Sequence, residues 1–185
     1  GKARRISTYG TLQFEVPWTG IEYAIASMLI DFGMVDEGVA IVRNIEDRYR
    51  RAGRLWNHVE CGDHYYRAMS SWALLLAATG FRVDARRGAL TIEPRVAGPV
   101  TAPYATCVSW GVLERDGSRF ALHCRGGREA IRELRLGAEA AGGVTVLVDG
   151  ATVPAAAHHE GDHHVVTLAE ETVLEAGQAI EARLT

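Results

Sequence analysis

TCVSWGVLERDGSRFALHC, residues 106–124, decides how the second half of this chain is read. Two runs rich in β-branched, aromatic and aliphatic residues flank Asp116-Gly117, a dipeptide suited to the positive backbone angles of a tight hairpin turn. Similar short runs lie on both sides of it. FRVDARRGALTIEPRV precedes it at 81–96, and IRELRL (131–136), GVTVLVDGATV (143–153), HHVVTL (163–168) and AIEARL (179–184) follow. Asp149-Gly150 marks another turn. The spacing predicts six to eight antiparallel strands in a small sandwich-like or curled sheet from about residue 81 onward.

Upstream the period changes from two to that of a helix, so we divide the chain into a helical region, 1–80, and a β-rich region, 81–185. Pro17 suits an early-helix position before IEYAIASMLIDF (21–32), which Thr19 or Gly20 opens and Gly33 ends. Apolar residues cover nearly every face, as in a helix enclosed all round. A second helix, from about Asp36 to Arg51, sets Val35, Val39, Val42, Ile45 and Tyr49 on one stripe and Glu37, Arg43, Glu46, Asp47 and Arg50 elsewhere. Arg48, Arg50 and Arg51 suit the negative end of its dipole, and Gly53 is a fitting cap. After RLWNHVECG (54–62), Asp63 can cap a third helix, HYYRAMSSWALLLAAT (64–79), closed by Gly80. Enclosed, amphipathic, enclosed is the order expected of a ring of helical hairpins, and two nearly all-apolar helices need more covering surface than one amphipathic helix supplies. We therefore expect the chain to be a fragment or a subunit.

Composition narrows the function classes. With 48% hydrophobic and 23% charged residues the chain is globular material, and a net charge of -3 provides no field to collect nucleic acid or anionic lipid. The longest apolar stretch, Ile21 to Ile30, is far below the ~20 residues of a membrane span and carries Glu22. GKARRIST (1–8) has no apolar segment behind it of the signal-peptide kind. Three cysteines, Cys61, Cys107 and Cys124, lack CxxC spacing and fit reduced thiols in a cytoplasmic setting, with a Cys107–Cys124 pairing left open.

Four groupings could carry chemistry. WNHVECGDHYYRAMSSW (56–72) places Glu60 and Arg67 seven residues apart, two helical turns on one face if the helix starts near Glu60, with His64 between them. A carboxylate and a guanidinium of this kind hold sugar hydroxyls, while Trp56 or Tyr65 could stack on a sugar ring; an internal salt bridge is the plainer alternative. In QFEVPWTGIEYA (13–24), Glu15 and Trp18 could face a pocket from the loop before the helix, or Trp18 could be a staple at the helix entry. HHEGDHH (158–164) could offer zinc or copper ligands, but reads more simply as a solvated hairpin turn, so we expect no metal. Cys61 beside His58 and His64 lacks a nucleophile–base–orienter arrangement and reads as a packed thiol. No phosphate loop, dinucleotide fingerprint or nucleophile elbow occurs, and no cofactor is expected.

The strings EVPWTGIEYA (15–24), RYRRAG (48–53) and above all WNHVECGDHYYRAMSSW (56–72) together resemble the closing part of the catalytic domain of glycoside hydrolase family 116 over about residues 9 to 95. That family includes bile-acid β-glucosidase, or non-lysosomal glucosylceramidase, and many bacterial and archaeal β-glucosidases. The resemblance implies the last helices of an α/α six-hairpin toroid, here followed by the antiparallel β-rich region. It also implies retaining cleavage of β-glucosides or β-xylosides by two carboxylates that lie upstream of this segment, so no catalytic residue is assigned here. To this chain it gives the sugar-binding wall of the −1 subsite, with Glu15 and Trp18 matching the family's Glu–Trp pair and Glu60 and Arg67 its Glu followed by Arg. Pro17 places Glu15 one residue further from Trp18 than in eukaryotic members, and Glu60 to Arg67 is a shorter interval, which makes the bacterial branch the nearer likeness. The expected partners are a β-glycoside substrate and either upstream sequence or a second subunit; the other reading is a non-catalytic interaction or carbohydrate-binding subunit.

Overall fold

A computed structural model of the chain describes residues 17–54, 68–137 and 142–185. The chain divides into two compact units, Gly1–Ala78 and Thr79–Thr185. In the first, helix α1 spans Thr19–Asp31 and α2 spans Val35–Arg51, and a 3-10 turn at Ala68–Ser71 leads into α3, Trp72–Thr79. Helix α1 ends in paired bonds from Gly33 N–H to Ile30 O (3.0 Å) and Met34 N–H to Leu29 O (2.8 Å), which satisfy carbonyls the last turn would leave open. Gly53 and Arg54 repeat this pattern on Arg50 and Tyr49 at the end of α2.

The stripe read on α2 is the packed one. Ile45 and Tyr49 are buried, Val35, Val39 and Val42 are half-buried, and Glu37, Arg43, Glu46, Asp47 and Arg50 face out. Against it lies α1, with Arg48 Nη1 donating to Glu22 Oε1 at 3.0 Å and the Thr19 and Tyr49 hydroxyls 2.7 Å apart. Thr19, Gly20, Ala26, Ser27 and Ile30 are the buried residues of α1.

Enclosure of α1 on every side is where the sequence reading fails. Ile21, Ile25, Met28 and Phe32 are exposed, Phe32 to 79%. Met69, Trp72 and Leu76, around the start of α3, are exposed as well. The toroid expectation falls with it: among the described residues there are three α-helices, α3 only eight residues long, and nearly half of the residues lie in a ten-stranded mixed sheet. The fold is α+β, without the ring of hairpins. An all-apolar helix shows only how much would be gained by covering it, because the hydrophobic effect carries no direction and specifies no partner.

In the second unit the strands are β1 Arg82–Asp84, β2 Ala89–Ile92, β3 Val100–Ala105, β4 Ser109–Asp116, β5 Arg119–Gly137, β6 Val144–Val148, β7 Ala151–Val153, β8 Ala155–Glu160, β9 His163–Glu175 and β10 Ala179–Leu184. Strand β5 organises them. Its first part pairs with β4 and β10, and β10 continues to β6 and β7, with β3 outside β4. Beyond Gly126-Gly127 its partners change to β2 and β9, which extend to β1 and β8. The two halves of the sheet thus share one 19-residue strand. Ile92, Leu134 and Leu136 from one half and Phe120, Leu122 and Ile180 from the other line the same interior gap, so the halves close on a common core. Each such side chain contributes about 1.5–3 kcal/mol by leaving water.

Three features differ from the sequence expectation. The β2–β5 pair is parallel, so the sheet is mixed rather than antiparallel. Among the described residues there are ten strands against the six to eight expected, and β3, Val100–Ala105, lies in none of the runs read from the sequence. RFALHC and IRELRL, read as separate strands, are one strand, the glycines between them being a bend and not a break. A bulge between Ile131 and Glu133 then resets the inward phase, so that Ile131, Leu134 and Leu136 are all buried. Edge strand β3 tolerates Pro103 because it pairs on only one side.

Candidate functional site

Of the residues expected to contact sugar, Trp18 falls among the described residues, while Glu15, Trp56, Glu60, His64 and Arg67 lie outside them, as do Cys61, His58, Asp63 and Tyr65. Trp18 is the residue that starts α1. Its backbone is extended (φ −86°, ψ 90°), and its carbonyl accepts the N–H groups of Ile21 at 2.9 Å and Glu22 at 3.0 Å. Its side chain is 36% exposed, so the indole is partly covered and partly presented to solvent.

What the structure brings together here is two of the three family-like strings. Thr19 and Glu22 belong to EVPWTGIEYA, and their partners Tyr49 and Arg48 belong to RYRRAG. Arg48 takes both oxygens of Glu22 in a fork and lies 5.6 Å from the centre of the Tyr49 ring. These bonds fix the end of α1 that carries Trp18 against the last turns of α2. Burial, followed by the nearby Tyr49 hydroxyl, pushes the Tyr23 phenol above its usual range, keeping it neutral beside this ion pair.

The histidine group forms the hairpin its sequence suggests, β8 and β9 joined through Gly161-Asp162. His159 and His164 are cross-strand partners with ring centres 4.0 Å apart, His163 Nε2 lies 3.2 Å from Glu93 Oε2, and His158 lies 4.0 Å from Glu160. His158 and His163 face different carboxylates, and His164, buried against His159, departs from the solvated turn expected. Among the described residues no group of three His, Cys, Asp or Glu side chains is placed to hold a metal ion. Cys107 is an exposed free thiol and Cys124 a buried one, so the two do not pair. No helix among the described residues is long and apolar enough to cross a membrane.

A polar centre not singled out from the sequence lies in the second unit. Glu129, 7% exposed, points to the inner side of β5, where its Oε2 accepts the hydroxyls of Thr106 and Ser109, both at 2.6 Å. Thr106 Oγ1 in turn accepts the N–H groups of Val108 at 3.1 Å and Ser109 at 2.9 Å, so one carboxylate organises the whole β3–β4 turn. Nearby, burial foremost pushes the Tyr104 phenol up to about 12. Glu129 also borders an open groove of about 410 Å³ whose walls include Val83, Asp84, Val108, Glu171 and Val173. The alternation of GREAIREL would have flagged Glu129 as a charged residue at an inward position, two before Ile131. The bonding of Glu129, two turn hydroxyls donated to one carboxylate oxygen, is that of a turn anchor.

No family model matches this chain, and no curated protein matches it either.

Proposed function

We propose that this chain supplies the sugar-binding wall of the −1 subsite of a retaining β-glycosidase of the β-glucosidase or glucosylceramidase type. The nucleophile and the acid/base are carried by upstream sequence or by a second polypeptide. The observation that carries the reading is the string WNHVECGDHYYRAMSSW, which combines a carboxylate, an imidazole, a guanidinium and aromatic rings in one short segment, preceded by Glu15 and Trp18. Glu60 accepts hydrogen bonds from sugar hydroxyls, Arg67 donates through its planar fork, and Trp18, with Trp56, offers an aromatic face to the C–H side of the ring. Glu15 and His64 complete the polar wall.

Retention of configuration needs two carboxyl groups about 5–5.5 Å apart, one attacking the anomeric carbon and one passing a proton to and from the leaving oxygen. Glu60 and Asp63 belong to one short segment and are assigned no proton transfer. Their neighbourhood binds and orients the sugar, strengthening its hydrogen bonds as charge develops on the ring. The exposed apolar side chains on and beside α1 and α3, Phe32, Met69 and Trp72 foremost, support assembly with further polypeptide. They would equally serve the second reading, a non-catalytic interaction or carbohydrate-binding subunit. The free thiols of Cys107 and Cys124 support a reducing, cytoplasmic setting.

The two readings separate on one measurement. In the complete assembly, Glu60→Gln or Arg67→Ala abolishes hydrolysis of a nitrophenyl β-glucoside if these residues line the −1 subsite, and leaves it intact if the chain only docks. Turnover by this chain alone, freed of any other polypeptide, would sink the assignment of the catalytic carboxylates to another segment.

A further inference from the structure

The outward face of the sheet around β4 carries a second set of sugar-type groups, far in sequence from the family-like strings. Along β4 the side chains alternate strictly: Ser109, Gly111 and Leu113 are buried, while Trp110, Val112 and Glu114 face out. Register places Ala105, Pro103 and Thr101 of β3 beside them in that order. On the other side, Gly126 pairs with Trp110 and His123 with Val112, and Ala121 pairs with both Glu114 and Glu181. The face therefore carries an aromatic residue at one end and charged groups at the other.

Trp110 is 58% exposed, yet its position is defined. A Cβ added at Gly126 would stand 2.4 Å from the indole Nε1 and 2.7 Å from Cε2, so the ring lies directly on the β5 backbone at a site that only glycine leaves open. One side of the indole is seated and the other is presented to solvent. Four residues along β4, about 13 Å at the rise of a strand, Glu114 accepts from Arg119 Nη1 at 3.0 Å with His123 Nε2 3.5 Å away. Arg119 Nε also donates to Glu181 at 2.7 Å, and Arg183 bonds the same carboxylate.

We propose that this face binds a neutral oligosaccharide, one pyranose ring stacked on Trp110 and the next reaching the Glu114–Arg119–His123 row. An aromatic face matches the C–H side of a sugar ring, and side chains with both donors and acceptors match its equatorial hydroxyls. Charge selects the class. Glu114 and Glu181 are balanced by Arg119 and Arg183, so the row itself offers no net attraction for a polyanion such as nucleic acid, and Arg125 is a further exposed cation beside Gly126. The hydrogen bond from Arg119 holds the Glu114 carboxyl below its usual range, so it stays an acceptor well into acid. The spacing from Trp110 to Glu114 favours two linked rings over one. Every residue named lies in the Thr79–Thr185 unit, and none belongs to the −1 subsite reading.

The test is calorimetric titration of the full chain carrying Glu60→Gln, which removes one of the sugar contacts expected of the −1 subsite, with cellotetraose and xylotetraose, and with single-stranded DNA as the anionic control. Saturable binding of a neutral tetrasaccharide is expected. It weakens at least about tenfold in Trp110→Ala and is largely retained in Trp110→Phe. In the NMR spectrum, the Trp110 indole N–H shifts on addition of the sugar while those of Trp18 and Trp72 stay put, a readout that does not depend on the alanine variant folding. No saturable binding, binding by DNA alone, or an unaltered Trp110→Ala titration overturns the proposal. Because the outcome is read at Trp110, in a unit that holds none of the −1 subsite residues, failure of that reading leaves this result untouched.

Discussion

Replacing Glu129 with alanine removes the one carboxylate that holds the β3–β4 turn to β5, and its cost follows from the bonds it makes. Oε2 accepts two hydroxyl donors at 2.6 Å, and hydrogen bonds to a charged group are each worth about 1.5–3 kcal/mol. Against that stands the expense of keeping a carboxylate 7% exposed with no ion-pair partner among the described residues, which truncation relieves. The net expectation is a loss of about 2 kcal/mol for Glu129→Ala. Glu129→Gln keeps an oxygen able to accept both hydroxyls without the charge, and should lose about half as much. Urea unfolding gives the global value. Native-state amide exchange gives the local one, with Val108 and Ser109 exchanging faster because their N–H groups depend on the Thr106 hydroxyl that Glu129 orients. A cycle with Ser109→Ala should show coupling, since the two residues share one bond. If Glu129→Ala matches the parent within about 0.5 kcal/mol and leaves both amides unchanged, the carboxylate is not anchoring the turn.

Gly80→Ala should destabilise by at least about 2 kcal/mol, because φ is +57° and the new Cβ would meet the Glu93 carbonyl oxygen at 2.0 Å. Gly33→Ala, at φ +82° with nothing within 4 Å, should cost only about 1 kcal/mol, and thermal unfolding of the pair separates clash from backbone strain. Tyr104 should stay protonated until about pH 12 in an absorbance titration, where an ordinary tyrosine ionises near 10, since burial disfavours its phenolate. A folded value raised above the unfolded one makes this contribution complete below the ordinary tyrosine range and lost as pH climbs through about 12. Glu114 has the opposite sign: its folded carboxyl is lowered by Arg119, so its contribution is present above the ordinary glutamate range and lost as acid takes the pH through the lowered value. Arg119→Met should therefore flatten the acid limb of the stability curve, and an unchanged limb would refute that link.

Much of the local structure was readable because it depends on neighbours in the chain. The stripe on α2 rests on spacing, and Gly33 and Gly53 accept the backbone turn that closes a helix, so both could be placed from residue type. Asp116-Gly117 and Asp149-Gly150 likewise forecast the turns that follow β4 and β6. The histidine hairpin is of the same kind. Of the candidate site, only the Trp18 end of α1 is described, and the sequence did not show that Glu22 and Thr19 would meet Arg48 and Tyr49, because a helix pattern gives a face and not the partner that covers it.

The sequence by itself determined where the period changes from helix to strand, which residues cap and turn, and that a carboxylate, an imidazole, a guanidinium and aromatic rings are gathered at 56–72. Only the tertiary structure decided that α1 and α3 leave apolar side chains exposed instead of closing into a ring, that β2 runs parallel to β5, and that Gly126-Gly127 bends one long strand through both halves of the sheet. It also set Trp110 on Gly126 and Glu129 beneath the turn. Capping and periodicity are settled over a few residues, where sterics and local hydrogen bonds dominate. Strand partners, enclosure and the seating of one side chain on another are settled by residues distant in the chain, through burial and register that no local pattern encodes.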